Sequence, residues 1–273
     1  MRNISESFTE MYQHLEKIKT KKKYLISIII PVYNEENTIF SVLKSLPNNY
    51  NIEIIVIDDF SNDNSLKEIN RSQKIQNIKL IKHTKNKGYG QAILTGIKNS
   101  NGKVLVTMDA DGQHLAKDIY YLVKPILNGE AEYTIGSRYL GSYHYKLPLS
   151  TRIGELVVEK LLWILFGQKV KNNQGGFRAF DQKIMHIFDN IQYQNFAFTT
   201  ELIIRASLYG YRIKECPISL KDRVYGKSRI KLNKLAINII FCFFRYSLVK
   251  IKLKVFKNKQ IKFKKKKLIF KEH

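Results

Sequence analysis

The sequence predicts an α/β fold: a mostly parallel sheet with helices on both faces, followed by an amphipathic C-terminal helix and a basic tail. Three observations lead there. Short, continuous β-branched runs such as YLISIIIPV and IEIIVID read as strands buried on both faces, because a half-exposed strand would alternate. Helical spacing follows each run, and this alternation recurs about every 25 residues, as parallel strands joined by crossover helices require. Polar residues collect at the carboxyl ends of the runs, where open parallel sheets bind ligands.

Residues 1–23 read as a short polar helical extension ending in KIKTKKK. YLISIIIPVYN is the first strand. NEENTIFSVLKSLP is a helix with Ile39, Val42, Leu43 and Leu46 on one face, closed by Pro47. IEIIVIDDFS is the second strand, and its helix runs from Ser65 to Lys74. IKLIKH is the third, and NKGYGQAILTGIKNS passes from glycines into a helix. Val104–Met108 is the fourth, with a helix near Asp118–Leu127 and a further strand at EYTIGSRY. Arg152–Gly167 has apolar residues at helical spacing and holds the single tryptophan, Trp163. Leu235–Val249 is apolar but interrupted by Arg245, and its length falls short of the roughly 20 residues of a membrane span.

The net charge of +24 points to an anionic partner: nucleic acid, an acidic membrane surface or a phosphorylated ligand. Part of it reflects a chain rich in Asn, Lys and Ile throughout. A basic tail binds nucleic acid non-specifically, but no recognition motif accompanies this one and acidic strand ends repel such a partner. No specific nucleic acid is therefore expected. Two cysteines, Cys216 and Cys242, give neither a disulfide framework nor metal-ligand spacing, which suits a reducing cytoplasm. The opening residues MRNISESFTEMYQHLEK lack the apolar centre of a secretory signal.

The stretch VLVTMDADGQH carries the chemistry. Carboxylates at i and i+2 on a tight turn suit a hard divalent cation, Mg²⁺ or Mn²⁺, so Asp109 and Asp111 are candidate ligands and Gln113 a neutral third. An isolated Asp-x-Asp would serve equally as a solvated turn. Here it ends a buried strand beside two other polar strand ends, Tyr33-Asn34-Glu35 and Asp58-Asp59, so carboxylates converge on one crevice.

SIIIPVYNEENTI, EIIVIDDFSND, NKGYGQAILTG, VTMDADGQH, GSRYL and GGFRAF occur in that order. In order and spacing they resemble the family-2 glycosyltransferases of the GT-A fold, a Rossmann-like arrangement. The polyprenyl-phosphate (dolichyl-phosphate) hexosyltransferases are the most similar group. The resemblance covers roughly residues 25–232. It implies a 24–232 catalytic domain between the 1–23 extension and a 233–273 membrane-proximal helix and lysine-rich tail. It also implies inverting transfer of a hexose from a UDP- or GDP-linked donor to a polyprenyl or dolichyl phosphate.

The resemblance assigns residues as well. Asp109, Ala110 and Asp111 would meet the donor's metal-bound diphosphate, with Gln113 beside them. Pro31, Tyr33 and Glu35 match the nucleotide-binding segment; Asp59 matches the carboxylate that recognises the base, and Asp58 supports it. Lys87, Gly88 and Gly90 precede a helix whose free N–H groups suit an anion. Arg138 in GSR matches an arginine near the reacting phosphates. In DRVYGKSRIKL, Arg223, Ser228 and Arg229 match an R-x-x-G-x-S-K element, with Arg229 where Lys is usual; the two differ in hydrogen-bond geometry. Relatives commonly carry an aspartate where this chain has Asn172, so a carboxylate that would assist the acceptor or orient an arginine is missing.

A membrane-embedded acceptor implies contact with an anionic membrane surface, and peripheral attachment on its cytoplasmic face is expected. Arg152–Gly167, Leu235–Val249 and the eleven lysines from Lys250 onward would supply it. Two alternatives are a soluble glycan or protein acceptor, and a catalytically degenerate nucleotide-sugar-binding protein. A processive polysaccharide synthase is disfavoured, because no Q-x-x-R-W element is present.

Overall fold

The computed structural model describes residues 4–18, 23–143, 149–195, 197–223, 225 and 232–269. Among these, seven strands form one sheet: β1 (Tyr24–Val32), β2 (Ile52–Asp58), β3 (Ile78–Lys82), β4 (Gly102–Thr107), β5 (Tyr133–Tyr143), β6 (Arg178–Asp181) and β7 (Ile213–Leu220), in the order β3-β2-β1-β4-β6-β5-β7. β1, β2, β3 and β4 pair in parallel, and so do β5 and β7. β6 runs antiparallel between β4 and β5. The sheet is thus mostly parallel, with one reversed strand that the sequence does not announce.

The doubly buried strands behave as their composition demands. Ile28, Ile30 and Val56 enter one apolar cluster, while Ile29, Ile55 and Ile57 enter the other, on the opposite face. Helices α2 (Ile39–Ser45), α3 (Ser65–Gln73) and α5 (Ile119–Leu127) accompany the first cluster; α4 (Tyr89–Lys98), α6 (Leu149–Phe166) and α7 (Ala197–Leu208) accompany the second. Gly96 of α4 lies where a Cβ would sit 2.3 Å from Ile29, which brings that helix hard against the sheet.

Both ends of the chain join these layers. The N-terminal helix α1 (Ile4–Glu16) buries Met11 and Leu15, and its His14 meets the Tyr120 hydroxyl at 3.2 Å. Helix α8 spans Leu232–Ile269, so the apolar stretch and most of the lysine-rich segment belong to one helix. No described helix is long and apolar enough to cross a membrane.

The edge of the sheet remote from the crevice is fastened by a charge cluster. Glu132 accepts from the Arg212 backbone N at 2.9 Å and from Arg212 Nη2 at 2.5 Å, and lies 3.2 Å from Lys183 Nζ. It joins the starts of β5 and β7. The hydrogen bonds from Arg212 hold the Glu132 carboxyl down at about 2, against the desolvation of a buried acid. A depressed acid stabilises the fold above its unfolded pKa and loses that contribution as pH falls through the folded value. Glu132→Gln should lower stability by about 1–2 kcal/mol at neutral pH, a figure discounted for the exposure of Arg212. Urea melts should show the difference from wild type vanishing as pH falls from about 4.5 to about 2.

Candidate functional site

β4 ends at Thr107, and the chain leaves the sheet through buried Met108 into Asp109, Ala110 and Asp111. Gly112, at φ +77°, turns it back; the Gln113 N–H donates to Asp111 Oδ1 at 3.1 Å and closes the turn. Thr38 Oγ1 donates to the Ala110 carbonyl at 2.8 Å, which pins this turn to the start of α2. Asp109 Oδ2 lies 3.3 Å from His114 Nε2, and its carboxylate also accepts from the Tyr89 hydroxyl. Gly176 passes directly over the pair: a Cβ there would lie 2.5 Å from both Asp109 Oδ1 and the Tyr89 oxygen.

The two carboxyls are driven apart in acidity. Burial raises Asp109, but the hydrogen bond and charge of His114, the Tyr89 hydroxyl and the Arg178 charge outweigh it, so Asp109 is held below the usual carboxylate range. Asp111 is pushed up, first by burial and then by the charge of Asp109, with His114, the Gln113 N–H and Arg223 offsetting part. Two adjacent acids that resist common ionisation, presenting hard oxygens, fit a divalent cation. Among the described residues no three His, Cys, Asp or Glu side chains gather as a metal cage. Further ligands would have to come from substrate oxygens and water, as is usual for Mg²⁺.

Arg223 closes the crevice from the other side. Its Nη2 donates to Glu35 Oε1 at 3.2 Å, its Nη1 lies 3.8 Å from Asp111 Oδ2, and its Nε donates to the Tyr225 carbonyl at 3.1 Å. The ends of β1, β4 and the segment after β7 are thereby joined. Gln113 faces that segment: its Nε2 donates to the Lys221 carbonyl at 3.0 Å.

On the other flank, Pro31 lies in β1 opposite Ile57 of β2, and half-buried Tyr33 follows the strand. Glu35 is fixed by its backbone N–H donating to Ser65 Oγ at 2.7 Å. Asp58 is buried and accepts from the Ser61 N–H at 3.4 Å. Asp59 has more partners than the sequence suggested. It accepts from the Lys87 N–H and the Gly88 N–H, both at 2.8 Å, and meets His83 Nδ1 at 2.7 Å; His83 Nε2 in turn meets Thr95 Oγ1 at 2.9 Å. The anion held by these glycine-loop amides is therefore the protein's own carboxylate, which corrects the expectation that Lys87 and Gly88 offer free N–H groups to a ligand.

Arg138 pairs with buried Glu155 of α6, which also takes the Tyr139 hydroxyl. The guanidinium is thus committed to a buried pair rather than facing an open crevice. Ser228 and Arg229 lie outside the described residues. Asn172 is buried; its Nδ2 donates to the Gly136 carbonyl at 2.5 Å, a bond that an ionised aspartate could not make. Its own N–H donates to Glu215 Oε1 at 2.9 Å.

The sequence reading gave no role to Arg178 of GGFRAF. This side chain is buried and donates to the carbonyls of Gly175 (2.7 Å), Asn173 (2.8 Å) and Thr199 (2.9 Å) and to the Tyr133 hydroxyl. It shapes the 173–176 loop over Asp109 and puts a positive charge behind it. An arginine in an otherwise apolar strand motif was the signal available.

Away from the crevice, α6 and α8 expose apolar faces. Trp163 is 54% and Ile164 70% exposed on α6; Phe241 is 61% and Phe244 65% exposed on α8.

A parallel sheet with paired carboxylates at the end of a central strand, under a glycine-bearing loop, defines a nucleotide-binding α/β protein of the Rossmann-like class. Comparison with known proteins makes this specific: residues 27–188 match Glycosyl transferase family 2, and the chain belongs to that family. It is a glycosyltransferase. It is 34% identical over 223 residues to a UDP-N-acetylglucosamine–dolichyl-phosphate N-acetylglucosaminyltransferase of Methanococcus voltae, covering 75% of this chain and 89% of the relative. A dolichol-phosphate mannosyltransferase of Pyrococcus furiosus is 29% identical over 218 residues, which are 76% of this chain and 59% of that one. In fold, the chain is similar to glucosyl-3-phosphoglycerate synthase of Mycobacterium tuberculosis, crystallised with Mn²⁺, UDP and glucosyl-3-phosphoglycerate. The TM-score is 0.65 at 18% identity, over 90% of this chain and 84% of that one. The GT-A expectation is met.

Gly176→Ala tests the packing over Asp109 and Tyr89. The added methyl must displace Asp109 or Tyr89, so thermal melts should show a loss of about 1–3 kcal/mol. Mn²⁺ titration followed by electron paramagnetic resonance should show weaker binding than wild type.

Proposed function

We propose that this protein transfers a hexose from a UDP- or GDP-linked donor to the phosphate of a polyprenol or dolichol at a membrane surface, with inversion. The carboxylate pair Asp109–Asp111 at the end of β4, faced by Glu35 and Arg223, carries this reading. The relatives in Methanococcus voltae and Pyrococcus furiosus, whose names state dolichyl-phosphate acceptors, support it. Tyr33 and Glu35 would receive the nucleoside. Asp59, with Asp58 behind it, would set the base pocket by holding the glycine loop, so that Lys87 acts through its side chain rather than its amide. Asp109, Asp111 and Gln113 would hold Mg²⁺ or Mn²⁺, which neutralises charge on the departing nucleoside diphosphate.

A phosphate monoester has a second pKa near ~6 and is largely dianionic at neutral pH. It attacks the anomeric carbon on the face opposite the diphosphate. The new bond is C1–O–P, the donor's C1–O bond breaks, and the nucleoside diphosphate leaves with that electron pair. No general base is needed, so positioning and charge do the work. Arg223, with Ser228 and Arg229 on the same segment, would bind the reacting phosphates. The loss of the acid at Asn172 is compatible with a reaction that requires no proton abstraction.

The acceptor fits the surface. Apolar faces of α6 and α8 would sit in the lipid headgroup region, and each lysine close to an anionic leaflet would contribute at most ~1 kcal/mol. Attachment would be peripheral, from the cytoplasmic side. A soluble acceptor would leave Trp163, Phe241 and Phe244 uncovered, and for that reason the lipid acceptor is preferred.

Purified protein, Mn²⁺, undecaprenyl or dolichyl phosphate and labelled UDP- and GDP-sugars provide the test. Label should enter the lipid phase, and Asp111→Asn should slow transfer by about 100-fold. Transfer only to water-soluble acceptors, or an unimpaired Asp111→Asn, would refute the reading. Anionic liposomes should carry the protein upward in flotation at low salt and release it as salt screens the lysines. Protein that stays at the bottom of the gradient would remove the membrane part.

A further inference from the structure

Glu201 sits in the middle of α7, completely buried in the run AFTTELIIRASL, and the acidic crevice does not use it. A buried carboxylate is costly unless hydrogen bonds replace its water. Glu201 has a full set. Oε1 accepts from the Tyr246 hydroxyl of α8 at 2.5 Å and from the Gln192 N–H at 3.0 Å; Oε2 accepts from the Tyr193 N–H at 2.9 Å. Arg205, one turn further along α7, donates to the same Tyr246 oxygen at 3.3 Å. Burial and the charge of Glu201 push the Tyr246 hydroxyl upward in pKa, so it remains a donor at neutral pH.

The segment held in this way leads back to the crevice. Gln194 follows directly, and its carbonyl accepts from the Gly90 N–H at 3.0 Å. The contact is backbone on backbone: a Cβ on Gly90 would lie 2.9 Å from that carbonyl oxygen, and one on Gly88 3.3 Å from it. Gly88 and Lys87 then donate to Asp59, while Tyr89, between the two glycines, reaches Asp109. Four successive contacts thus run from the inner face of α8 to the two carboxylates that flank the crevice.

We propose that Tyr246 and Glu201 are positioning residues for the donor: through residues 192–194 they set the glycine loop that holds Asp59 and Tyr89. The inference rests on the reading of the crevice as the nucleotide-sugar site. It gives α8 a second task, because the helix whose outer face is free to meet lipid is fastened by its inner face to the donor pocket. An apolar residue at position 201 of α7 would pack at no desolvation cost; the acid is explained by what it holds.

Tyr246→Phe removes one hydroxyl from an otherwise unchanged packing surface. UDP and GDP, each with Mn²⁺, are titrated calorimetrically into the full chain, alongside a thermal melt and amide hydrogen exchange without nucleotide. Wild type should bind one of the two. The variant should bind it about tenfold more weakly, as expected for a hydrogen bond to a charged group. It should keep a single cooperative melt and exchange faster at residues 87–91 and 192–194. A wild type that binds neither nucleotide overturns the donor-site reading and this inference with it. A wild type that binds, with a variant of equal affinity, overturns the inference alone, whether or not the melt shifts, because a purely structural bond would lower stability without touching affinity. Glu201→Gln, which places an amide donor against a backbone N–H, gives the same readouts if Tyr246→Phe does not fold.

Discussion

The repulsion between Asp109 and Asp111 is the constraint around which the crevice is organised. Two carboxylates at the end of a buried strand stay ionised together only if opposite charge or donors are supplied from nearby. Each surrounding element supplies one. His114 comes from the same turn, Tyr89 from the loop before α4, Arg178 from β6, and Arg223 from the segment after β7. The reversed strand β6 earns its place here. Its antiparallel pairing with β4 brings Gly176 of the preceding loop across Asp109.

The sequence made the central strands legible because burial on both faces forces continuous apolar, β-branched runs, and β1 and β2 are built largely from Ile and Val. It also marked the crevice, since carboxylates at strand ends are poorly explained by solubility. Four-residue β6 escaped, because so short an element carries no period and exists through its pairing with distant strands. Asp59 was expected as a site residue, but its partners were not visible; His83, Lys87 and Gly88 lie 24, 28 and 29 residues further along. The lysine-rich end read as a tail because its charge dominates, yet Ile251, Leu253 and Val255 continue an apolar series within helix α8. Glu201 was visible as a lone acid among apolar neighbours. What it binds was not, since Tyr246 is 45 residues away on another helix.

The apolar stretch of α8 carries apolar residues on both its buried and its exposed side. Ile239, Cys242, Phe243 and Tyr246 are buried against the domain. Ile240, Phe241, Phe244 and Leu248 point away from it and are exposed. A helix that is hydrophobic all round is a buried helix, and here the protein covers one half. The stretch is too short to be surrounded by lipid as a span, and the lysines that follow favour an anionic surface over a hydrocarbon interior. Under the proposed lipid acceptor, a helix laid in the headgroup region would have the domain on one side and acyl chains on the other, which would cover both halves.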